Sequence, residues 1–212
     1  VRGAEGQNII WCPTEKFNDF DLLPTMKAII HKICLPEYYW ITPERECEKV
    51  LLELLHTHIN SGSKLIQLRA KTALDSSFVE RFYQTCQDAN VKFILNTINK
   101  TFCEPCDGWH LTTEELLSLS ERPCATDKLL GASTHNATEA KHGEKIDVDY
   151  ISIAPVKSTK SHPDCKPLGW DKTRELVSAS NLPVYLLGGM SLQNLQRARS
   201  INAQGVAGIS QV

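Results

Sequence analysis

The sequence predicts an α/β fold, a (β/α)8 (TIM) barrel, on three observations. Eight short apolar runs recur along the chain, at Tyr38–Thr42, Leu65–Arg69, Lys92–Leu95, Asp107–Leu111, Leu129–Ser133, Tyr150–Ile153, Pro183–Leu187 and Val206–Ser210. Helix-period patterns fill most of the intervals between them. Several runs end in glycine or polar side chains, as barrel strands do at the carboxyl face where ligands bind. An open, doubly wound sheet is the alternative arrangement of the same alternation.

Residues 1–36 stand apart as an N-terminal appendage. A polar, glycine-rich start leads to the apolar run Ile9–Trp11, read as a short strand. Phe17, Phe20, Leu22 and Leu23 then lead through Pro24 to a helix expected over Met26–Cys34, with Ile29, Ile30 and Ile33 as its apolar face. Pro36 closes that helix. So short a segment cannot bury a core alone and must dock on something. From Tyr38 the rhythm is regular. Val50, Leu51, Leu54, Leu55 and Ile59 mark one helix face; Phe78, Val79, Phe82, Tyr83 and Cys86 mark another. The interval from Asn96 to Cys106 has room for only a turn or two of helix. The pattern ends just after the eighth strand, so the last outer helix is missing. The Met26–Cys34 helix is expected to cover some of the apolar surface this leaves.

The stretch from Pro183 to Ser210 reads as strand, helix and strand, with Leu192, Leu195 and Ala198 on one helix face. Gly188, Gly189 and Gly208 fall at the strand ends, where glycine lets a phosphate approach backbone N–H groups and a helix N-terminus adds its dipole. Loops after strands seven and eight are the usual phosphate site of such barrels. Tight turns alone are the plainer reading of these glycines. At the end of strand two, alternation puts Gln67, Arg69 and Lys71 on one face. Converging cations call for an anion, and a phosphate or pyrophosphate fits; a solvated strand end is the alternative. Asn96 ends strand three, His110 lies near the end of strand four, and Ser133, Thr134 and His135 close strand five. His135 suits proton transfer near neutral pH, and equally suits capping a helix. The basic, proline-punctuated loop 155–167 reads as a lid whose Lys157 or Lys160 closes over an anion, or as an exposed variable loop.

Composition narrows the partners. A net charge of −2 gives no reason to expect nucleic acid. No run is long enough to span a membrane and no signal-peptide pattern opens the sequence. The eight cysteines lack the rhythm of a disulfide framework. Cys103 and Cys106 form the only close pair; a zinc ribbon would need a second pair, so the pair reads as structural and the compartment as reducing cytoplasm. The expected partner is a phosphorylated small molecule.

Tyr-Trp-Ile-Thr-Pro (39–43), Leu-Ile-Gln-Leu-Arg-Ala-Lys (65–71), Gly-Trp-His-Leu (108–111) and Gly-Ala-Ser-Thr-His-Asn (131–136) resemble thiamine phosphate synthase. So do Asp-Tyr-Ile-Ser-Ile-Ala-Pro-Val (149–156), Thr-Lys (159–160), Leu-Gly-Gly-Met (187–190) and Gly-Val-Ala-Gly-Ile (205–209). The resemblance runs from Tyr38 to the end, in order and at the strand ends. That family joins an aminopyrimidine pyrophosphate to a thiazole phosphate and releases pyrophosphate with Mg2+. The resemblance implies that Gln67, Arg69, Lys71, Asn96, Ser133 and Lys160 surround the pyrimidine and its pyrophosphate, Lys160 taking part in catalysis. It implies that Thr159, Gly188, Gly189 and the backbone of Gly208, Ile209 and Ser210 hold the thiazole phosphate. Expelling pyrophosphate leaves a pyrimidine carbocation, so cations and Mg2+ would neutralise the leaving group.

Two departures stand out. The family's Asn-Asp pair after strand three is Asn96-Thr97 here, and its Gly-Gln-x-Asp after strand four is Thr112-Thr113-Glu114-Glu115. Glu115 is left as a lone, longer metal ligand, and one carboxylate holds Mg2+ poorly. Such losses resemble the thiazole tautomerase branch, in which the residue matching His135 is the acid–base group; a non-catalytic phosphometabolite-binding module is the other alternative. A second resemblance covers residues 1–36. Gly-Ala-Glu-Gly-Gln-Asn-Ile-Ile-Trp (3–11), then Leu-Leu-Pro-Thr-Met-Lys-Ala-Ile-Ile (22–30) and Leu-Pro (35–36), look like the tail of a MutT-type Nudix hydrolase. Some such hydrolases, which cleanse oxidised nucleotides, carry a thiamine-synthase-like barrel at the C-terminus. The Nudix box is absent from these residues, so this fragment should not hydrolyse nucleoside triphosphates although its parent protein would. The division expected is a Nudix remnant with linker helix over 1–36 and a barrel over 37–212.

Overall fold

The computed structural model describes residues 4–20, 23, 26–44, 46–70, 74–96, 102, 105–159 and 165–209. Eight parallel strands form the centre: β1 (Tyr38–Ile41), β2 (Leu65–Leu68), β3 (Lys92–Asn96), β4 (Gly108–Leu111), β5 (Leu129–Thr134), β6 (Tyr150–Ile153), β7 (Val184–Leu186) and β8 (Gly205–Gly208). Each pairs with the next, and β8 pairs with β1 through Tyr38↔Val206 and Trp40↔Gly208. The sheet closes into a barrel rather than remaining open. Its helices are α1 (Lys27–Cys34), α2 (Glu48–Asn60), α3 (Ser76–Asp88), α4 (Thr113–Ser118), α5 (Ala137–Lys145), α6 (Gly169–Ser178) and α7 (Leu195–Ser200). The helix expected between β3 and β4 falls largely on residues 97–101, 103 and 104, outside the described set.

Strand alternation divides the core in two. Tyr39, Ile41, Leu65, Ile94, Tyr150, Tyr185 and Ala207 point inward. Trp40, Ile66, Leu68, Phe93, Leu95, Ile151, Val184 and Val206 point outward, beneath the helices. The barrel is filled by three fully buried tyrosines packed edge to face, with ring centroids 4.8 Å apart for Tyr39–Tyr185, 5.5 Å for Tyr150–Tyr185 and 6.1 Å for Tyr39–Tyr150. Around them, α3 buries Phe78, Val79, Phe82 and Cys86, as its periodicity predicts. On α2 the buried line is Leu51, Leu55 and His58. His58 stacks on Trp40 at 4.0 Å and extends the buried line, while Val50 is only half-buried. Asp75 begins α3 by accepting from the backbone N–H of Ser77 and Phe78.

The N-terminal region corrects two expectations. Ile9–Trp11 forms no strand, and Trp11 is 94% exposed. The first helix does dock, but beneath the amino ends of the strands rather than by its isoleucine face. Leu35 enters the barrel's inner cluster. The Gln204 amide donates to the carbonyls of Lys32 (3.2 Å) and Leu35 (2.7 Å), and the Tyr185 hydroxyl donates to that of Pro36. His31 Nδ1 lies 3.5 Å from Asp149. Ile29 and Ile33 stay 57% and 55% exposed, because these floor contacts, and not helix amphipathicity, set the orientation of α1. The Leu192 face is also altered: Leu192–Asn194 is a separate 3-10 turn opened by a Ser191 capping box, and Leu192 is exposed.

The floor holds a buried ion pair. Arg122 Nη2 donates to Asp149 Oδ2 at 2.8 Å and to the Lys128 carbonyl at 2.6 Å, while Asp149 also accepts from the Leu130 N–H at 2.7 Å. These bonds tie the loop before β5 to the start of β6.

Candidate functional site

Strand alternation delivers a ring of polar side chains at the carboxyl ends of β2 to β6. Gln67 and Asn96 are joined by a hydrogen bond from Gln67 Nε2 to Asn96 Oδ1 at 2.5 Å. Asn96 pairs in register with His110, and Ser133 with Ser152. His110 Nε2 lies 3.0 Å from Ser133 Oγ and 3.4 Å from Ser152 Oγ, and its Nδ1 lies 3.2 Å from the Tyr150 hydroxyl. Gln67, His110 and Ser152 are buried. Among the described residues, Gln67 Oε1 takes no hydrogen bond. A buried amide oxygen left so costs about 1–3 kcal/mol unless a ligand or water supplies a donor. Burial first, and the Arg69 guanidinium second, push His110 down to about 3, so the ring is neutral at neutral pH.

Arg69 follows β2, a quarter exposed, 3.8 Å from the Glu44 carboxylate, and its N–H donates to the Thr42 hydroxyl at 2.9 Å. The strand-end reading of Gln67, Asn96 and Ser133 thus gathers three residues into one volume with Arg69 beside it. Lys71, Lys160 and Ser210 lie outside the described residues, as does Thr97.

The glycine loops adjoin one another. Gly188 and Gly189 have φ of 90° and 65°, a region glycine adopts without strain. A Cβ on Gly188 would fall 2.7 Å from the Pro155 Cα, and one on Gly189 would fall 2.9 Å from the Lys157 Cβ. The loop after β7 therefore lies flat on the loop after β6, sealed by Lys157 N–H donating to the Gly188 carbonyl at 3.0 Å. Thr159 stands two residues further on, half-buried. Gly208 faces the Met190 carbonyl, and the Ile209 carbonyl accepts from the Trp40 indole at 3.3 Å. Among the described residues, the N–H groups of Gly188, Gly189 and Ile209 form no hydrogen bond. Such groups are what a phosphate would take. The helix expected behind them is the 3-10 turn Leu192–Asn194 running directly into the six-residue α7. The lid residues 160–164 are outside the described set; Lys157 is exposed.

Two predicted residues have local partners. His135, half-exposed, directs Nδ1 to Thr113 Oγ1 (3.1 Å) and Glu139 Oε2 (3.3 Å), and its N–H donates to the same carboxylate. Asn136, one residue on, caps α5. Glu115 closes a capping box: its Oε2 accepts from the Thr112 N–H at 2.7 Å, and the Thr112 hydroxyl accepts from the Glu115 N–H. No group of three or more His, Cys, Asp or Glu among the described residues can hold a metal ion. Among the described residues the ring itself offers amides, hydroxyls and a neutral imidazole, with Glu44 the carboxylate beside Arg69, so a Mg2+ held there would depend largely on oxygens from a bound phosphate.

Sequence reasoning passed over Ser152 and Tyr150 and gave His110 no role. The signal was available: Ser152 shares the phase of Ser133 one strand away, and His110 that of Asn96. Of the described cysteines, Cys86 and Cys106 are buried thiols and none forms a disulfide; Cys103 lies outside the described set. No helix among the described residues is long and apolar enough to cross a membrane.

Comparison with known proteins bears on this geometry. The family model described as thiamine monophosphate synthase matches residues 38–212. A thiamine-phosphate synthase of Syntrophomonas wolfei is 30% identical over 167 residues, covering 76% of this chain and 79% of that protein. One from Fusobacterium nucleatum is 28% identical over 178 residues, covering 81% and 86%. Among solved structures, a thiamine phosphate pyrophosphorylase from Pyrococcus furiosus superposes with a TM-score of 0.63 at 21% identity, over 81% of this chain and 84% of its own. A 3-hexulose-6-phosphate synthase gives 0.62 at 10% identity, over 80% and 88%. The structural likenesses speak to the barrel alone.

Proposed function

The chain belongs to the thiamine monophosphate synthase family, and on that premise we propose that its barrel mouth binds a phosphorylated thiazole- or pyrimidine-type small molecule. The observation that carries the reading is the Gln67–Asn96–His110–Ser133 ring, its Gln67 and His110 buried and Gln67 Oε1 without a partner among the described residues. A heteroaromatic ring with an amino group would satisfy that oxygen. Arg69 supports the anionic part of such a ligand, and the N–H groups of Gly188, Gly189 and Ile209, without a partner among the described residues, support a second phosphate position. Lys71, Lys160, Thr159 and Ser210 belong to the same reading through the family's motifs.

The described residues bind and orient. A neutral His110 donates or accepts without adding charge beside Arg69, and the Gln67–Asn96 pair fixes the plane of a bound ring. Calorimetric titration with thiazole phosphate and an aminopyrimidine pyrophosphate analogue tests this. Binding of either is expected, weakened about tenfold by Gln67→Leu, the worth of one buried hydrogen bond. Absence of binding by both would overturn it.

One observation favours a second reading, a tautomerase-like proton transfer. Glu139 holds the His135 ring by Nδ1 and its Nε2 has no hydrogen bond among the described residues, the arrangement of an oriented base. His135→Ala would then abolish turnover of a thiazole phosphate tautomer while leaving its binding intact; unchanged turnover would exclude the role. For residues 1–36, which precede the family match, we keep the reading as the tail of a MutT-type Nudix domain on the residues quoted above. An upstream coding sequence bearing glycine followed by spaced glutamates supports it, and one without that box ends it.

A further inference from the structure

His110, Gly131 and Tyr150 lie side by side on β4, β5 and β6. Neighbouring strands run about 4.8 Å apart, so a side chain on β6 reaches one on β4 only across the residue between. Here that residue is glycine. A Cβ on Gly131 would fall 2.1 Å from the Tyr150 Cζ and 2.5 Å from its hydroxyl oxygen. The phenol occupies the space a side chain would need, and its hydroxyl meets His110 Nδ1 at 3.2 Å. We propose that Tyr150 is a positioning residue: reaching across Gly131, it holds His110 as the Nε2–H tautomer and so turns the Ser133 hydroxyl into a hydrogen-bond donor toward the mouth.

Proton counting sets the direction. Tyr150 is fully buried, and His110 is its one hydrogen-bond partner among the described residues. A sealed phenol proton without an acceptor costs about 1–3 kcal/mol, so the O–H donates to Nδ1. The neutral imidazole then carries its single proton on Nε2. That N–H donates to Ser133 Oγ at 3.0 Å, with Ser152 Oγ more distant at 3.4 Å. Because its oxygen is accepting, the Ser133 hydroxyl proton points away from His110. Ser133 is only half-buried, so that proton, unlike the phenol's, is within reach of a ligand or water. The group it takes is an acceptor, a phosphoryl oxygen or an unprotonated ring nitrogen. The opposite tautomer would strand the phenol proton inside the barrel and make Nε2 an acceptor for the Ser133 or Ser152 hydroxyl.

Only the identity of the group facing Ser133 rests on the mouth being the binding site; the tautomer is tested without ligand. Nitrogen-15 imidazole correlation spectra of the ligand-free chain at pH 7, with His110 assigned by His110→Gln, report which nitrogen is protonated. The expected result is protonation at Nε2 in the parent chain. In Tyr150→Phe, which keeps the ring packed on Tyr39 and Tyr185, the two nitrogen signals move toward each other as tautomers mix. Gly131→Ala, which pushes the phenol off His110, has the same effect where it folds. Protonation at Nδ1 in the parent chain, or unmoved signals in Tyr150→Phe, would overturn the proposal. Failure of thiazole or pyrimidine ligands to bind would leave the tautomer result standing, so the two claims fail separately.

Discussion

Glu115 shows how one side chain can be claimed by two roles. Its carboxylate is held by the Thr112 N–H, and no group of three or more His, Cys, Asp or Glu among the described residues forms a metal site around it. Glu115→Ala is expected to cost about 1 kcal/mol in denaturant unfolding, the worth of a cap, with ligand affinity and its response to Mg2+ unchanged. A large loss of Mg2+-dependent binding would restore Glu115 as a metal ligand. His135 is the companion case: its imidazole faces Thr113 and Glu139, so proton transfer requires the free Nε2. At this scale alternation along strands was legible. It put Gln67 and Arg69 on one face of strand two, while the grouping with Asn96 and Ser133 came from the family resemblance. Contacts across strands were not legible, because no spacing within one chain segment says that Tyr150 reaches over Gly131 to His110.

At the level of elements, the strands announced themselves and the appendage did not. Each barrel strand is a short apolar run between a helix pattern and a polar end, a signal carried by the run itself. The docking of α1 depends instead on Gln204, Tyr185 and Asp149, which sit about 120–170 residues away in sequence. Helical periodicity pointed to Ile29, Ile30 and Ile33, and the floor contacts turned the helix elsewhere. The Arg122–Asp149 pair is the strongest polar link at that floor, with side-chain exposures of 8% and 2%. Asp149→Ala leaves a buried guanidinium uncompensated and should destabilise the fold by about 3–5 kcal/mol. Urea unfolding checks this; a loss under about 1 kcal/mol would mean that solvent reaches Arg122.

For the whole molecule, two buried histidines make stability depend on pH. Burial lowers both His110, to about 3, and His58, whose ring nitrogens take no hydrogen bond among the described residues. Their unfolded forms bind protons more readily than their folded forms below the ordinary histidine range. The stability they confer is therefore complete above about pH 6.5 and is lost as pH falls toward 3. For His110 alone, unfolding at pH 5 should require about 2 kcal/mol less than at pH 7. His110→Gln should flatten that dependence, whereas an equal slope in the variant would place the acid sensitivity elsewhere. The barrel as a whole is a scaffold that turns eight strand ends toward one volume, and the account stands or falls on what enters it.

The most direct measurement is titration of the nitrogen-15-labelled chain with thiazole phosphate, following backbone and side-chain amide signals. The account predicts saturable shifts at the N–H groups of Gly188, Gly189 and Ile209 and at the side-chain amides of Gln67 and Asn96, with the floor residues Arg122 and Gln204 unmoved. Shifts confined to the floor or to the appendage, or none at all, would contradict it.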